Sequence, residues 1–381
     1  MMILVLTSCA TTSRILLPSD LVAQEDVVGI KSQKVRIWGD ATKAEIAATL
    51  AATGSQINFI EKGNRSNQES YLVLSGGGQN GAFGAGLLNG WTRSGTRPEF
   101  KIVTGVSTGA LIAPFAFLGS SYDATIKEFY TTHSTKDLVR YRVASGLLGG
   151  VSFADSKPLA GLIAKYITHT TLRKIAIEHQ KGRYLLVGTT NLDAGRPVIW
   201  NMGEIAQVGD DRALKLFRSV ILASASIPGA FPPVMIGVSA DGKTGQEMHV
   251  DGGTTDNAIL LPFHVNLKQL YKRLKWKPKR KLYVVINSTL TPRRKSVKAD
   301  TFSIAGRSID TLIKRLTISD TQRLYQFSQR NDIQFNIASI PERFNEKPEE
   351  LFDRAYMIKL FSHAYNLASK GYKWGRKPPD T

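Results

Sequence analysis

The stretch that most constrains how this chain folds is residues 101–113, where a short β-branched run leads into Gly-Val-Ser-Thr-Gly and then into a helical pattern of small and apolar residues. This is the order of a nucleophile elbow, in which a serine, here Ser107, occupies a tight turn between a strand and a helix. Gly105 and Gly109 would permit torsions and close contacts that a Cβ obstructs, and the helix start would direct N–H groups at the serine oxygen. A motif this loose also arises by chance as a glycine-rich turn, so other segments must decide its role.

A second glycine-rich segment follows a buried-strand pattern at residues 71–74. Its sequence is Gly76-Gly77-Gly78-Gln79-Asn80-Gly81. The segment matches the dinucleotide fingerprint G-x-G-x-x-G, but the acidic residue expected about 20 positions later is Glu99, which lies in a loop sequence, and no Gly-Lys-Ser/Thr completes a P-loop. Consecutive glycines can instead direct backbone N–H groups at one point as an oxyanion hole. Because this loop and Ser107 both follow predicted strands, the pair favours acyl transfer over nucleotide binding.

The third feature is a candidate for the base, since a serine hydroxyl is a good nucleophile only when a positioned group takes its proton. In the α/β-hydrolase order the base is a late histidine, for which His264 and His363 are the candidates. Asp251 is a different candidate, because it ends a strand pattern and precedes Gly252 and Gly253 on a predicted tight turn. An aspartate at such a position is also a common turn-capping residue. Spacing alone does not choose between them.

Taken together, these motifs resemble one family. The glycine run at 76–81, Gly-Val-Ser-Thr-Gly at 105–109 and Asp-Gly-Gly at 251–253 occur in the order found in patatin-like phospholipases, and the segment at 223–234 is similar to that family as well. The resemblance covers residues 70–290. It implies a three-layer α/β/α sandwich with a mostly parallel central sheet. It also implies hydrolysis of ester-linked acyl chains in lipids, of the phospholipase A or lysophospholipase type, by a Ser-Asp dyad without a catalytic histidine.

The resemblance assigns roles to individual residues. Ser107 would be the nucleophile and Asp251 the proton acceptor, while the backbone of Gly76 to Gly78 would form the oxyanion hole. The motif glycines beyond this set are Gly81, Gly105, Gly109, Gly252 and Gly253. Family members often carry Lys or Arg where this chain has Asn80, a departure that concerns the side-chain contacts of the loop and not its backbone. No cofactor is implied, and no His, Cys and Glu cluster in the sequence has metal-ligand spacing.

Along the whole chain, strand patterns alternate with helical patterns, which favours a mostly parallel sheet covered on both faces. Pro114 is expected to kink or end the helix after Ser107, and residues 10–35 have the irregular pattern of a tether. The predicted division of the chain is a signal peptide at 1–8, a lipid-anchored extension and linker at 9–65, the acyl hydrolase domain at 66–345, and a C-terminal helix and basic tail at 346–381.

The amino terminus carries a short apolar run followed by Leu6-Thr7-Ser8-Cys9, which resembles the lipobox of bacterial lipoproteins. In that signal, cleavage leaves the cysteine as a diacylated first residue, and two acyl chains give a stable anchor. The run is shorter than a usual signal peptide and no Lys or Arg precedes it, as a misassigned start codon would explain. Cys9 is the single cysteine, which suits an oxidising compartment. We therefore expect an exported protein anchored to a bacterial membrane, at the periplasmic face or in the outer membrane.

The formal net charge of +19 favours anionic partners. Basic residues and Trp276 are concentrated in the segment Lys268–Lys281. Such a segment can bind nucleic acid or anionic lipid, or form a solvated basic loop. Export and a lipid substrate favour an anionic membrane surface, so no nucleic-acid partner is expected.

Three alternatives to a Ser-Asp lipid hydrolase remain open at this level. A Ser-His-Asp esterase would use His264 or His363 as its base. A nucleotide-binding enzyme would use the glycine run to hold phosphates and would not need Ser107. A non-catalytic lipoprotein would keep the same fold for binding a nucleotide or a lipid.

Overall fold

A computed structural model describes the chain at residues 14–18, 21, 25–30, 35–53, 66–141, 152, 154–291, 294 and 296–379. Cys9 and the rest of the predicted lipobox lie outside these residues. Over the described part of the chain, ten strands form one mixed sheet and two more form a separate short ladder. None of the helices found there combines the length and the apolar character that crossing a bilayer requires.

The described strands and helices follow one another in the alternating order that the sequence predicts. The strands are β1 (Asp26–Val27), β2 (Arg36–Trp38), β3 (Gln68–Leu74), β4 (Ile102–Val106), β5 (Arg140–Tyr141), β6 (Ala154–Asp155), β7 (Tyr184–Asn191), β8 (Arg196–Asn201), β9 (Val234–Ala240), β10 (Lys243–Asp251), β11 (Lys279–Ile286) and β12 (Ile333–Ser339). The helices are α1 (Lys43–Thr53), α2 (Gly81–Arg93), α3 (Thr108–Leu118), α4 (Asp123–Thr132), α5 (Thr135–Leu138), α6 (Lys157–Tyr166), α7 (His169–Gln180), α8 (Met202–Val208), α9 (Asp211–Ser224), α10 (Leu267–Arg273), α11 (Thr301–Arg330) and α12 (Arg354–Ser369). Short 3-10 turns lie at Gly78–Asn80, Ser120–Tyr122 and Gly252–Thr254.

The middle of the sheet is parallel. Strands β7, β4, β3, β11 and β12 lie side by side in that order and all run in the same direction. The antiparallel pairs begin at β7, where β8 joins one edge and β10 joins the other edge beyond the end of β4. Strand β2 follows β8, while β9 and then β1 follow β10. The predicted α/β/α sandwich with a mostly parallel central sheet is confirmed.

Two apolar cores lie on the two faces of the sheet, because successive side chains of a strand point to opposite faces. Leu72 and Leu74 of β3 belong to one core, together with buried residues of α2, α3, α9 and α12. Tyr71 and Val73 belong to the other, together with buried residues of α10 and α11. A strand that is buried on both faces in this way reads as a continuous apolar run, which is the pattern seen in the sequence.

Helix α3 does not end at Pro114, which was one of the two outcomes expected there, but continues to Leu118. A proline in a helix interior removes one backbone hydrogen bond and costs roughly 3 kcal/mol. Most of the helix is buried, from Thr108 to Phe117, and tertiary packing of this kind supplies most of the stability of a helix in a protein.

Segments at both ends of the described chain belong to the same body. Strand β1 pairs with β9, and β2 pairs with β8, although β1 lies inside the stretch predicted to be a tether. Arg36 of β2 binds Glu25 (2.8 Å) and also Glu247 of β10. At the other end, α12 packs along α2, where a Cβ on Gly86 would collide with the backbone of Phe361.

Candidate active site

Ser107 and Asp251 are neighbours because β4 and β10 pair with successive parts of the same edge of β7, so that their carboxyl ends meet. Strand β4 pairs with β7 as far as Gly188, and β10 pairs in the opposite direction from Thr189 onward, with Asp251 opposite Thr189. Strand β8 occupies the other edge of β7 over residues 186–191, and a strand has only two edges. The carboxyl ends of β4 and β10 therefore face each other, which places the first residue after β4 beside the last residue of β10.

Ser107 occupies the strained turn that its motif predicts. Its φ of 54° and ψ of −124° lie outside the regions that non-glycine residues normally adopt. Its backbone N–H donates to Ser224 Oγ (2.9 Å), whose hydroxyl donates in turn to the carbonyl of Gly188 (2.6 Å). Backbone strain of this kind persists where surrounding contacts hold it, so Ser224 at the end of α9 is a positioning residue for the elbow.

The two glycines of the elbow are required by close backbone approach. A Cβ on Gly105 would collide with the carbonyl of Gly109, and a Cβ on Gly109 would collide with the carbonyl of Leu74. The turn brings α3 directly against the ends of β3 and β4. Ser107 is thereby held at the amino terminus of α3, where unpaired N–H groups and the helix dipole favour negative charge.

Asp251 is buried and faces Ser107. Ser107 Oγ donates to Asp251 Oδ2 at 2.5 Å, and the Gly253 N–H donates to Asp251 Oδ1 at 2.7 Å. The backbone N–H of Asp251 donates to the carbonyl of Ser226 (2.9 Å), so the segment after α9 supports both residues of the pair. Burial raises the pKa of Asp251 to about 7, while the hydrogen bonds from Ser107 and Gly253 act in the opposite direction.

The glycine run lies against Ser107. A Cβ built on Gly76 would lie 3.1 Å from the Cβ of Ser107. The Gly76 N–H donates to the carbonyl of Asn257 (3.0 Å), whereas the N–H groups of Gly77 and Gly78 have no hydrogen-bond partner among the described residues. Both of these glycines have positive φ, 156° and 57°, and a Cβ on Gly77 would collide with the carbonyl of Asn287. Two backbone donors thus remain open in the loop whose first glycine lies against Ser107.

Asn287, which follows β11, holds the start of the glycine loop. Its Nδ2 donates to the carbonyl of Ser75 (2.8 Å), and its Oδ1 accepts from the N–H of Gly84 in α2 (3.0 Å). Its backbone N–H donates to Ser75 Oγ (2.8 Å). One side chain therefore fixes the loop to both the preceding strand and the following helix.

The residues after the Asp-Gly-Gly turn are held by helix α11. Asn257 donates through Nδ2 to Thr317 Oγ1 (2.6 Å) and through its backbone N–H to Asp320 Oδ2 (2.7 Å). Arg323 forms ion pairs with both Asp320 and Asp256. Burial, followed by the neighbouring Asp256, raises the pKa of Asp320 to about 6, while Arg323 lowers it. Because Asn257 also accepts from Gly76, this network connects α11 to the glycine loop.

Asn80, where the family often has a basic residue, contacts the C-terminal helix. Its Oδ1 accepts from the Tyr356 hydroxyl (2.7 Å). The adjacent Gln79 accepts from the Asp353 N–H (2.9 Å) and donates to the carbonyl of Glu350 (3.3 Å). In this chain the side chains of the loop therefore bind α12 and the segment before it.

The histidines proposed as alternative bases do not contact the pair. His264 is exposed and packs against Phe263. His363 packs against Phe344, and burial lowers its pKa. Within the described residues, Ser107 Oγ has Asp251 as its hydrogen-bond partner. No three acidic, histidine or cysteine side chains converge as a metal site would require in the part of the chain that the structure describes.

The basic segment Lys268–Lys281 lies at the amino ends of the parallel strands, opposite the carboxyl ends that carry the candidate site. It spans α10 and the amino end of β11, whereas Ser107, Ser75 and Asn287 follow the carboxyl ends of parallel strands. Part of its charge is already engaged: Lys268 pairs with Asp332 (2.9 Å), and Arg280 is buried over the ring of Tyr271. This segment therefore does not surround the candidate site.

Several residues of the site could not be recognised from the sequence. Ser224 lies in the segment at 223–234, which is similar to the family. That similarity gave no role to Ser224 itself. Asn257, Asn287 and Asp320 are single polar residues after strands or within a helix, and no local pattern marks them. Their contacts depend on which strands are neighbours in the sheet, and the sequence alone does not give the strand order.

Three comparisons with known proteins were made, and one of them shows the family of the chain. A family model described as patatin-like phospholipase matches residues 72–265, which is just over half of the chain. No curated protein matches. The crystal structure of VipD from Legionella pneumophila is similar over 81% of this chain and 67% of its own, with 14% sequence identity and a TM-score of 0.36. By the extent of the family match, the chain belongs to the patatin-like phospholipase family.

Proposed function

We propose that this protein is a serine lipid acyl hydrolase, of the phospholipase A or lysophospholipase type, that acts through Ser107 and Asp251. The observation that carries the proposal is the 2.5 Å hydrogen bond from Ser107 Oγ to Asp251 Oδ2. A serine in direct contact with a proton acceptor is the arrangement that nucleophilic catalysis needs. Membership of the patatin-like phospholipase family supports a lipid ester as the substrate.

In the first half of the proposed reaction, Ser107 Oγ attacks the carbonyl carbon of the ester while its proton moves to Asp251. The carbonyl oxygen becomes an oxyanion, which the N–H groups of Gly77 and Gly78 stabilise together with the amino terminus of α3. Asp251 then gives its proton to the leaving alcohol oxygen as the carbon–oxygen bond breaks. The acyl chain remains on Ser107 as an ester.

The second half repeats these steps with water. Asp251 takes a proton from a water molecule, whose oxygen attacks the acyl carbon and regenerates the oxyanion. Collapse of this intermediate breaks the bond to Ser107 Oγ, which recovers the proton from Asp251. The fatty acid leaves and the free serine is restored. An aspartate with a pKa of about 7 is suited to both directions of transfer near neutral pH.

The proposal also includes export and a lipid anchor on Cys9. It is supported by the Leu-Thr-Ser-Cys sequence at residues 6–9. Metabolic labelling with an alkyne fatty acid should label the wild-type chain, and Cys9→Ala should remove the label. Persistent labelling of Cys9→Ala would contradict the anchor without affecting the proposed catalysis.

The experiment that tests the proposed catalysis combines an active-site probe with substrate turnover. A fluorophosphonate probe should label the wild-type protein covalently, and Ser107→Ala should not be labelled. Hydrolysis of a short-chain soluble ester and of phospholipid vesicles should each fall by at least about a thousandfold in Ser107→Ala and in Asp251→Asn.

Matched variants separate loss of chemistry from loss of folding. Ser120→Ala changes an exposed serine, and Asp211→Asn changes an aspartate at the start of α9 whose side chain is largely exposed. Both should keep full labelling and turnover. A folded wild-type protein that the probe does not label would refute the proposal. Loss of activity in His264→Ala or His363→Ala equal to that in Asp251→Asn would support a histidine-based esterase instead.

A further inference from the structure

Helix α11 extends past the edge of the sheet at which the candidate site lies. Its last residue, Arg330, donates to the carbonyl of Phe263 (2.8 Å), near the amino edge of the sheet. Its middle lies at the active-site edge, where Thr317 accepts from Asn257 (2.6 Å) and Lys314 donates to Thr289 Oγ1 (2.9 Å). Residues 301–313 precede these contacts on a continuous helix, so they project roughly 20 Å beyond the active-site edge.

The first half of this helix, residues 301–316, is amphipathic. Ile309, Leu312, Ile313 and Leu316 are spaced i, i+3, i+4 and i+7, which places them on one stripe of a helix. Leu312 is 69% exposed and Ile309 41% exposed. In the second half of the same helix, the corresponding apolar residues Leu324 and Phe327 are buried against the sheet. The stripe therefore continues past the protein core into solvent.

Exposed cations lie close to this stripe in the sequence. Arg294 and Lys298 lie in the segment that enters the helix, and Arg315 lies on the helix itself; all three are exposed. The two acidic residues of the region are already engaged, since Asp300 caps the helix at Ser303 and Asp310 binds Arg307. An exposed apolar stripe with cations beside it is the composition of helices that lie in a membrane interface.

We propose that residues 301–316 of α11 dock on the surface of a bilayer that contains anionic phospholipids. This inference rests on the proposed function, because it states how the active-site edge would be presented to a lipid substrate. The apolar stripe would enter the acyl boundary, and the cations beside it would contact anionic head groups. This surface differs from the basic segment Lys268–Lys281, which lies at the opposite edge of the sheet. Docking through that segment would direct Ser107 away from the membrane.

The test measures binding separately from hydrolysis. The full chain is used with Cys9→Ser, so that no acyl anchor contributes, and vesicles are made of ether-linked phosphatidylglycerol and phosphatidylcholine, which an ester hydrolase cannot degrade. The protein should sediment with these vesicles and should bind vesicles of ether-linked phosphatidylcholine alone more weakly. Ile309→Asp combined with Leu312→Asp should weaken vesicle binding by roughly tenfold or more. The same double variant should hydrolyse a soluble short-chain ester at the wild-type rate.

Two control variants make the result specific. Ile177→Asp changes an isoleucine of α7 that is 46% exposed and should leave vesicle binding unchanged. Lys272→Gln combined with Lys275→Gln changes exposed cations of the basic segment and should also leave it unchanged. Failure of the proposed catalysis would appear as an inactive wild type on the soluble ester, whatever its vesicle binding.

Three outcomes would overturn the proposal. The first is wild-type vesicle binding by the Ile309→Asp, Leu312→Asp variant. The second is loss of soluble-ester hydrolysis in that variant, which would make the stripe part of the catalytic support. The third is a wild-type dimer that becomes monomeric in the variant, measured by sedimentation velocity, which would assign the stripe to a second copy of this chain.

Discussion

The carboxylate of Asp251 is the group from which the chemistry of this site can be tested most directly. Burial raises its pKa to about 7, and only the ionised form can take the proton of Ser107. Activity on a soluble ester should therefore rise with pH up to about 7 and level off above it. Below that value, kcat/KM should fall by about tenfold for each pH unit. A profile from pH 5 to 9 checks this, and a flat profile down to pH 5 would exclude Asp251 as the base.

The same raised pKa predicts that Asp251 lowers the stability of the protein. The folded state holds the proton up to about pH 7, whereas an unfolded aspartate releases it near the ordinary aspartate pKa of 3.8. The unfolded state therefore gains relative to the folded state as the pH rises from about 4 to about 7. Asp251→Asn should match the wild type in stability near pH 4. At pH 8 it should be more stable by roughly a few kcal/mol.

Denaturant unfolding of both proteins at pH 4 and pH 8 measures this difference. Asp211→Asn is the control, because the Asp211 side chain is largely exposed; this variant should show no comparable change between the two pH values. If Asp251→Asn were less stable than the wild type at pH 8, the carboxylate would be stabilising, and the pH dependence of activity would need another origin.

At the level of residues, the sequence predicts those that occur in glycine-rich motifs. The structure places Ser107 in contact with Asp251 and with Gly76 of the glycine run, and their catalytic roles stay predictions. The resemblance implied that the backbone of Gly76 to Gly78 forms the oxyanion hole. In the structure the Gly76 N–H donates to the carbonyl of Asn257, and only the N–H groups of Gly77 and Gly78 have no partner among the described residues. The three glycines differ in their backbone torsions. Because the three residues are identical, the sequence does not show which of their N–H groups will be free.

Among the elements, the glycine loop depends on a strand that is distant in sequence. Asn287, after β11, binds the carbonyl of Ser75 and the N–H of Gly84 through its side chain. Asn287→Ala would remove the donor to the buried Ser75 carbonyl, at a cost of about 1–3 kcal/mol, and the side-chain acceptor of the Gly84 N–H. We expect lower stability and a decrease in kcat that exceeds any change in KM, since the loop carries the proposed oxyanion donors.

Urea unfolding together with steady-state kinetics on a soluble ester tests this expectation. Asn89→Ala is a suitable control, because Asn89 makes a side-chain hydrogen bond within its own helix, to the carbonyl of Ala85 (3.0 Å). It should affect kcat little. A normal kcat in Asn287→Ala, despite reduced stability, would show that the loop keeps its geometry without the asparagine.

The order of elements was predictable because the parallel strands are buried on both faces and are separated by helical patterns. The antiparallel side of the sheet was less predictable: β9 and β10 form a hairpin, and β10 also pairs with β7, which is about 60 residues earlier in the chain. The continuation of α3 through Pro114 has a similar origin, since local propensity is outweighed by burial. Long-range strand pairing determines the antiparallel part of the sheet, and tertiary packing keeps α3 helical beyond Pro114.

At the scale of the whole molecule, residues 346–381 were predicted as a C-terminal helix and basic tail, and the helix, α12, packs on α2 directly behind the glycine loop. Buried residues of α12 such as Leu360 and Phe361 complete the core on that face, and Tyr356 binds Asn80 of the loop. The tail therefore contributes to the body that positions the site. The two helices approach closely because Gly86 of α2 has no side chain where it meets the backbone of Phe361 in α12.

A matched pair of glycine substitutions tests this role of the C-terminal helix. Replacing a helical glycine with alanine adds about 0.5–1 kcal/mol of helix stability where there is space for a Cβ. Gly161 in α6 has such space, so Gly161→Ala should stabilise the protein. A Cβ on Gly86 would collide with the backbone of Phe361, so Gly86→Ala should destabilise the protein despite the same gain in propensity. It should also reduce activity, because α2 continues from the glycine loop. Thermal unfolding of both variants measures the difference, and equal stabilisation would mean that α12 can move away from α2 without cost.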